Sequence, residues 1–188
     1  MVHSRAGAWE RVMPVPLSDE AQLDNASTDA FTDLYHRYAD RVYRYAVARL
    51  GNAMDAQDVT AQTFLTAFES LDRFQQRGSF AAWLFGIARH KVQDHQRRAR
   101  PFVPLDNVLD MPSSGLPLED AVDEQLWINR AIHAIGNLSS ERAEALRLRI
   151  FAGLSAAEIG SIIGKSEDAV RMLVHRAIQD LQAYLEDK

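Results

Sequence analysis

Cysteine is absent from all 188 residues. That excludes disulfides, thiolate nucleophiles and every cysteine-bearing zinc site, so a metal centre would have to be assembled from histidine and carboxylates. Long apolar runs are missing as well. Nowhere do the roughly 20 apolar residues of a membrane-spanning helix occur, and residues 1–20 lack the apolar core and cleavage pattern of a secretory signal. The expected location is the cytoplasm, with no membrane partner. Glycine and proline are sparse at 9 and 6 residues, which excludes collagen-like and wholly disordered chains. What is present is 47% hydrophobic and 25% charged, enough for one or two small cores.

The formal net charge of -5 argues against a polyanionic partner until it is divided along the chain. Residues 31–100 carry 11 basic and 7 acidic side chains, whereas 1–30 carry 2 and 5, 101–136 carry 1 and 6, and 137–188 carry 7 and 8. The basic excess peaks where Arg89, Lys91, Arg97, Arg98 and Arg100 are opposed only by Asp94. Such a stretch suits contact with nucleic-acid phosphates.

Apolar spacing organises the chain into helices. Residues 1–29 hold Pro14 and Pro16 without sustained periodicity and read as a loosely ordered extension. From Phe31, the residues Leu34, Tyr35, Tyr38, Val42, Tyr45 and Ala46 recur at three and four, until Gly51-Asn52 ends the pattern and Asn52 caps a second helix bearing Phe64, Leu65, Phe68 and Leu71. A polar loop over Arg73 to Ser79 precedes a third helix with Phe80, Trp83, Leu84, Ile87, Ala88 and Val92. Pro101, Pro104, Pro112 and Pro117 then forbid a long helix and mark an acidic linker over 101–122. A second unit, 123–188, begins with Leu126, Ile128, Ile132 and Ile135, and continues through Leu146, Leu148 and Ile150. No useful stretch alternates with period two. The expected fold is therefore all-α: two small helical domains, 30–100 and 123–188, joined by the proline-rich linker.

Two features point to chemistry. Ser155-Ala-Ala-Glu158 is a capping box that opens a short helix with Ile159, Ile162 and Ile163; Gly164 stops it, and Ser166 caps a longer helix whose core face is Val170, Val174, Ala177 and Leu181. This is helix-turn-helix spacing, presenting Glu167, Asp168, Arg171, Met172 and His175 to a major groove. An ordinary helical hairpin is the competing reading. The second feature is the aromatic set Phe74, Phe80 and Trp83 beside the cationic third helix, an arrangement that suits unstacked bases. For Trp83 a core role is the simpler expectation, and for Arg97 and Arg98 a nucleic-acid role.

These residues resemble the extracytoplasmic-function (ECF) sigma factors of the sigma-70 family, the two-domain type of RNA polymerase specificity subunit. LYHRYADRVYRYAVARLGNAMDAQDVTAQTFLTAF (34–68) is similar to the family's polymerase-docking helices, SFAAWLFGIARHKVQDHQRR (79–98) to its promoter-melting helix, and LSSERAEALRLRIFAGLSAAEIGSIIGKSEDAVRMLVHRAIQDL (138–181) to its upstream-element reader. The resemblance implies that Asp58, Val59, Gln62, Phe64 and Leu65 face the beta-prime clamp of core RNA polymerase, with the second domain at the beta flap. It implies that Arg73, Phe74 and Ser79 belong to a loop that captures a flipped base, and that Arg89, His90, Lys91, Asp94, Arg97 and Arg98 contact the minus-ten region of promoter DNA. Ser166, Glu167, Asp168, Arg171, Met172, His175 and Arg176 would lie at the minus-thirty-five element. The acidic linker, with Asp106, Asp110, Glu119 and Asp120, would occupy space meant for the RNA phosphate chain. His90, Asp168, Leu173 and Ile178 depart from the family's usual residues. The expectation is weak duplex binding without polymerase. An anti-sigma factor is a further candidate partner, for which Met172 and Leu173 could be the contact, although their burial is the simpler reading.

Two other classes compete with this one. A dimeric helix-turn-helix regulator acting without polymerase would leave the basic helix and its aromatic loop unexplained. An enzyme finds little support: His90 and His95, five apart, fall on different helix faces around Asp94, Asp33 and His36 stand alone, and no phosphate-cradling glycine loop or nucleophile elbow occurs. No cofactor and no metal are expected.

Overall fold

Helix starts and stops are set by single residues whose backbone chemistry can be followed directly in the computed structural model, which describes residues 28–71, 74, 79–98 and 135–186. The extension over 1–27, Arg73, the linker at 101–122 and the helix expected around Leu126, Ile128 and Ile132 lie outside the described residues. Helix α1 (Thr28–Leu50) begins three residues before Phe31 and ends where Gly51 takes a left-handed φ of 67°. Asn52 then caps α2 (Ala53–Glu69): its carboxamide oxygen accepts from the N–H groups of Met54 at 2.8 Å and Asp55 at 3.1 Å. Ser79 starts α3 (Phe80–Arg98) in the same way, its hydroxyl oxygen accepting from the N–H of Ala82 at 3.1 Å.

The second half repeats this logic. α4 (Ser140–Ile150) is followed by Gly153 with φ 63°, and α5 (Ala156–Ile163) opens on the reciprocal Ser155–Glu158 capping box and stops at Gly164, φ 71°. Ser166 caps α6 (Glu167–Glu186) by accepting from the N–H of Ala169 at 3.3 Å. Among the described residues there are six helices and no strand.

Packing departs from the two separate cores that the linker suggested. Tyr38, Val42, Tyr45, Leu84, Phe85, Ala88 and Val92 form the centre of the α1–α3 bundle, and the same cluster runs on into Ala145, Leu148, Ala152, Leu154, Ile159 and Val170 of the second half. A smaller cluster of Ile135, Ala143, Leu146, Ala177 and Leu181 ties α4 to α6. Helix α4 is therefore wedged between two partners, and all six consecutive residues Ala143 to Leu148 are buried, Glu144 and Arg147 included. Burial of charged groups requires partners. For Glu144 those partners lie on α1 and α3.

Candidate nucleic-acid interface

The third helix divides its cations between two surroundings. At its end Arg97 and Arg98 are exposed; Arg97 pairs with Asp94 one turn back. His90 is exposed, with Nδ1 hydrogen bonded to the carbonyl oxygen of Gly86 at 2.8 Å, while Lys91 is half-buried. Arg89 turns the other way. Its Nε lies 3.4 Å from Oε1 of Glu144 and its Nη1 donates to the Ile162 carbonyl at 3.5 Å, so this cation of the expected minus-ten set is spent on α4 and α5.

Glu144 gathers more than one partner. The Tyr45 hydroxyl donates to its Oε1 at 2.7 Å and Arg49 Nη1 lies 3.0 Å from its Oε2. Burial, then the Glu144 carboxylate, pushes the Tyr45 hydroxyl well above its ordinary pKa. Burial, then the neighbouring Arg49 cation, lowers that of Arg147. Two guanidinium groups, those of Arg49 and Arg89, thus share one carboxylate, whose charge also acts on Arg147. Nearby, the Ser79 hydroxyl donates to Glu158, and Arg41 donates to the Ala152 carbonyl. Burial opposes ionisation of Glu158, but hydrogen bonds from Ser79 and Ser155 outweigh it and hold the carboxyl below its ordinary range.

In front of this seam the rings of Phe74, Phe80 and Trp83 stand 5.1 to 5.8 Å apart. Phe80 is core, whereas Trp83 is half-buried rather than fully enclosed and, with Phe74, Ile87, His90 and Ile162, lines a groove of about 890 Å³. An aromatic wall at the start of α3 can stack bases, and the groove that runs from it along the helix to Lys91 and Asp94 leads toward the exposed cationic end, about 20 Å away, where a phosphate chain can be followed.

Helix α2 sorts the five residues expected at the polymerase clamp. Asp58, Gln62 and Leu65 are exposed, but Val59 and Phe64 are 1% and 4% exposed. These two belong to the inward stripe with Ala56, Thr60, Thr63 and Ala67, and they support the surface from beneath. The surface itself includes two residues of the periodic apolar pattern, Tyr35 and Phe68, which are 44% and 53% exposed. Phe31 joins them, its ring 5.1 Å from Phe68 and 6.3 Å from Phe64. An aromatic cluster that remains half in water marks an interaction surface.

At α6, Arg171, His175 and Arg176 are exposed, and Glu167 and Asp168 stand free of the core ahead of them. Arg171 pairs with Glu167 and lies 3.8 Å from Asp168. Ser166 acts as the cap. The expected burial of Met172 is overturned: it is 51% exposed, because the inward face runs through Val170, Leu173, Val174 and Ala177, and position 172 lies opposite.

Comparison with known proteins follows this division. Residues 34–102 match the Sigma-70 region 2 family and residues 128–181 match Sigma-70, region 4. The RNA polymerase sigma factor CarQ of Myxococcus xanthus is 30% identical over 164 residues, 86% of this chain and 92% of that protein. The chain belongs to the ECF sigma factors of the sigma-70 family. The ECF RNA polymerase sigma factor BldN of Streptomyces coelicolor is 38% identical over 174 residues, which is 91% of this chain; the chain spans 65% of that relative's length. The structure of CnrH in complex with the cytosolic domain of CnrY matches with a TM-score of 0.66 and 26% identity, covering 86% of this chain and 91% of CnrH. In sigma terms, α1 to α3 are region 2 and α4 to α6 are region 4, so Glu144 and Glu158 of region 4 face Arg89 and Ser79 of region 2.

Proposed function

We propose that the chain acts as a promoter-specificity subunit: it binds core RNA polymerase, recognises minus-ten and minus-thirty-five elements and promotes strand separation. The observation that supports this most is the pairing, in one chain and in sigma order, of a region 2 helix that carries an aromatic groove at its start and exposed cations at its end with a capped helix-turn-helix in region 4. Asp58, Gln62 and Leu65, with Tyr35 and Phe68, form the face for the beta-prime clamp; region 4 docks at the beta flap. Phe74, Trp83, His90, Lys91, Arg97 and Arg98 follow the melted strand, and Arg171, His175 and Arg176 enter the groove upstream. The work is done by binding rather than by catalysis, without a cofactor, in the compartment where polymerase and promoter DNA meet. CnrH is found in complex with the cytosolic domain of CnrY, and a proteinaceous anti-sigma factor is the proposed controller of this chain.

Run-off transcription with core polymerase over a promoter library tests the reading. Promoter-dependent transcripts that require the chain are expected. Their absence, with the chain folded and core polymerase active, overturns it.

A further inference from the structure

Gly86 stands in the interior of α3, where glycine weakens a helix relative to alanine. Packing does not account for it: a Cβ at this position meets nothing within 4 Å, unlike one at Gly160, which would stand 2.5 Å from the Lys165 carbonyl oxygen. The open space is the groove, which Gly86 lines between Trp83, one turn before it, and His90, one turn after. Helical rise sets those two residues about 10 Å apart along the axis, room for a nucleobase lying along the helix. At one end the Trp83 ring packs on Phe74 at 5.1 Å and Phe80 at 5.5 Å; at the other, His90 Nδ1 donates to the Gly86 carbonyl oxygen at 2.8 Å. Both rings thus have a set orientation, and the floor between them carries no side chain. Lys91 and Asp94 continue the groove toward the exposed Arg97 and Arg98. A polyanion with unstacked bases uses all of this: rings to stack on, a flat floor for close approach and cations for its phosphates. A duplex, its bases already paired and stacked, uses only the last.

We infer that Gly86 is the floor of a single-base slot on α3: one unstacked base of a DNA single strand lies against the glycine between Trp83 and His90, and a side chain at position 86 lifts it off. Helix stability is given up there for close approach of the base to the backbone. The inference rests on the sigma reading for the source of the strand, a melted promoter, but the slot itself does not.

Gly86→Ala and Gly86→Leu form a graded series in which both replacements favour helix, so thermal denaturation should place both variants at or above the native chain and a loss of binding cannot come from unfolding. Holoenzyme is assembled with core RNA polymerase and titrated with forked promoter DNA whose minus-ten segment is single-stranded. Gly86→Ala should weaken binding about threefold and Gly86→Leu about tenfold, the size of one lost base stack. An abasic site moved along the strand then locates the base: at one position it should cost native holoenzyme about tenfold and Gly86→Leu holoenzyme nothing further, while at neighbouring positions the two losses add. Native affinity in both variants overturns the slot, as does a Gly86→Leu loss that adds to the abasic loss at every position. The full chain without polymerase, titrated with mixed-sequence single-stranded DNA and with duplex, separates the slot from the sigma reading. If the chain forms no promoter complex, yet Gly86→Leu weakens its single-strand binding and leaves duplex binding unchanged, the sigma reading falls and the slot stands. A promoter complex of equal affinity in all three chains does the reverse, and a chain that binds neither forked nor single-stranded DNA refutes both.

Discussion

Gly160 and Gly86 are both helical glycines, and their surroundings assign them opposite roles. A Cβ at Gly160 would stand 2.5 Å from the carbonyl oxygen of Lys165, backbone that cannot swing away, because Lys165 N–H is itself bonded to the Gly160 carbonyl at 3.0 Å across the turn. A Cβ at Gly86 meets nothing within 4 Å. Gly160→Ala should therefore cost about 1–3 kcal/mol through overpacking, while Gly86→Ala should stabilise by about 0.5–1 kcal/mol by restricting the unfolded chain and favouring helix. Urea denaturation of the two variants checks both signs. The same residue-level logic applies to Arg171, which Glu167 holds on the exposed face of α6. Arg171→Ala, assayed in holoenzyme against every single-base change of the minus-thirty-five element, should lose about 1–3 kcal/mol of discrimination at one position. Uniform weakening across all sequences would move Arg171 to a phosphate role.

At the scale of the helix, the caps carried most of what could be read beforehand. Asn52, the Ser155–Glu158 box, Gly164 and Ser166 use local hydrogen bonds that need only neighbours in sequence, and each stands where the spacing places it. Residues whose surroundings come from afar were less legible. Helix α4 is legible in sequence through Leu146, Leu148 and Ile150, but only its burial on two faces shows Glu144 and Arg147 to be interior; Ala143 and Ala145 flanking Glu144, small enough for close helix approach, are the one local sign. Arg89 looks like its exposed neighbours in sequence for the same reason. Tyr35 and Phe68 continue the apolar period past the edge of the core, where periodicity alone cannot tell a buried ring from an exposed one. The capping box also gives α5 a pH dependence with a definite sign. Glu158 is held below its ordinary pKa by Ser79 and Ser155, so its stabilisation is complete above the unfolded value and is lost as pH falls through the depressed one. Acid unfolding followed by α5 amide exchange should be steeper in the native chain than in Glu158→Gln, which has no carboxyl to protonate. Identical acid limbs would show that the box contributes no linkage.

Over the whole molecule, charge is arranged by segment rather than by sum, and the salt dependence of open-complex formation reads that arrangement. Each single-strand phosphate contact contributes about 0.7 to the slope of log affinity against log salt, and each duplex contact about 0.9. Arg98 is exposed and has no ion-pair partner among the described residues, so Arg98→Ala should remove a full contact's worth of slope. Arg97 already faces Asp94, and on the proposed strand path it would exchange that carboxylate for a phosphate. Fewer counterions are released in that exchange, and Arg97→Ala should reduce the slope by less than Arg98→Ala does. Asp94→Asn separates this account from a simple count of positive charges: it adds no cation, yet by freeing Arg97 it should steepen the slope and strengthen open complexes at low salt. If the Arg97→Ala, Arg98→Ala double variant melts promoters with the native slope, the end of α3 is a solvated face and the strand path runs along the aromatic groove alone.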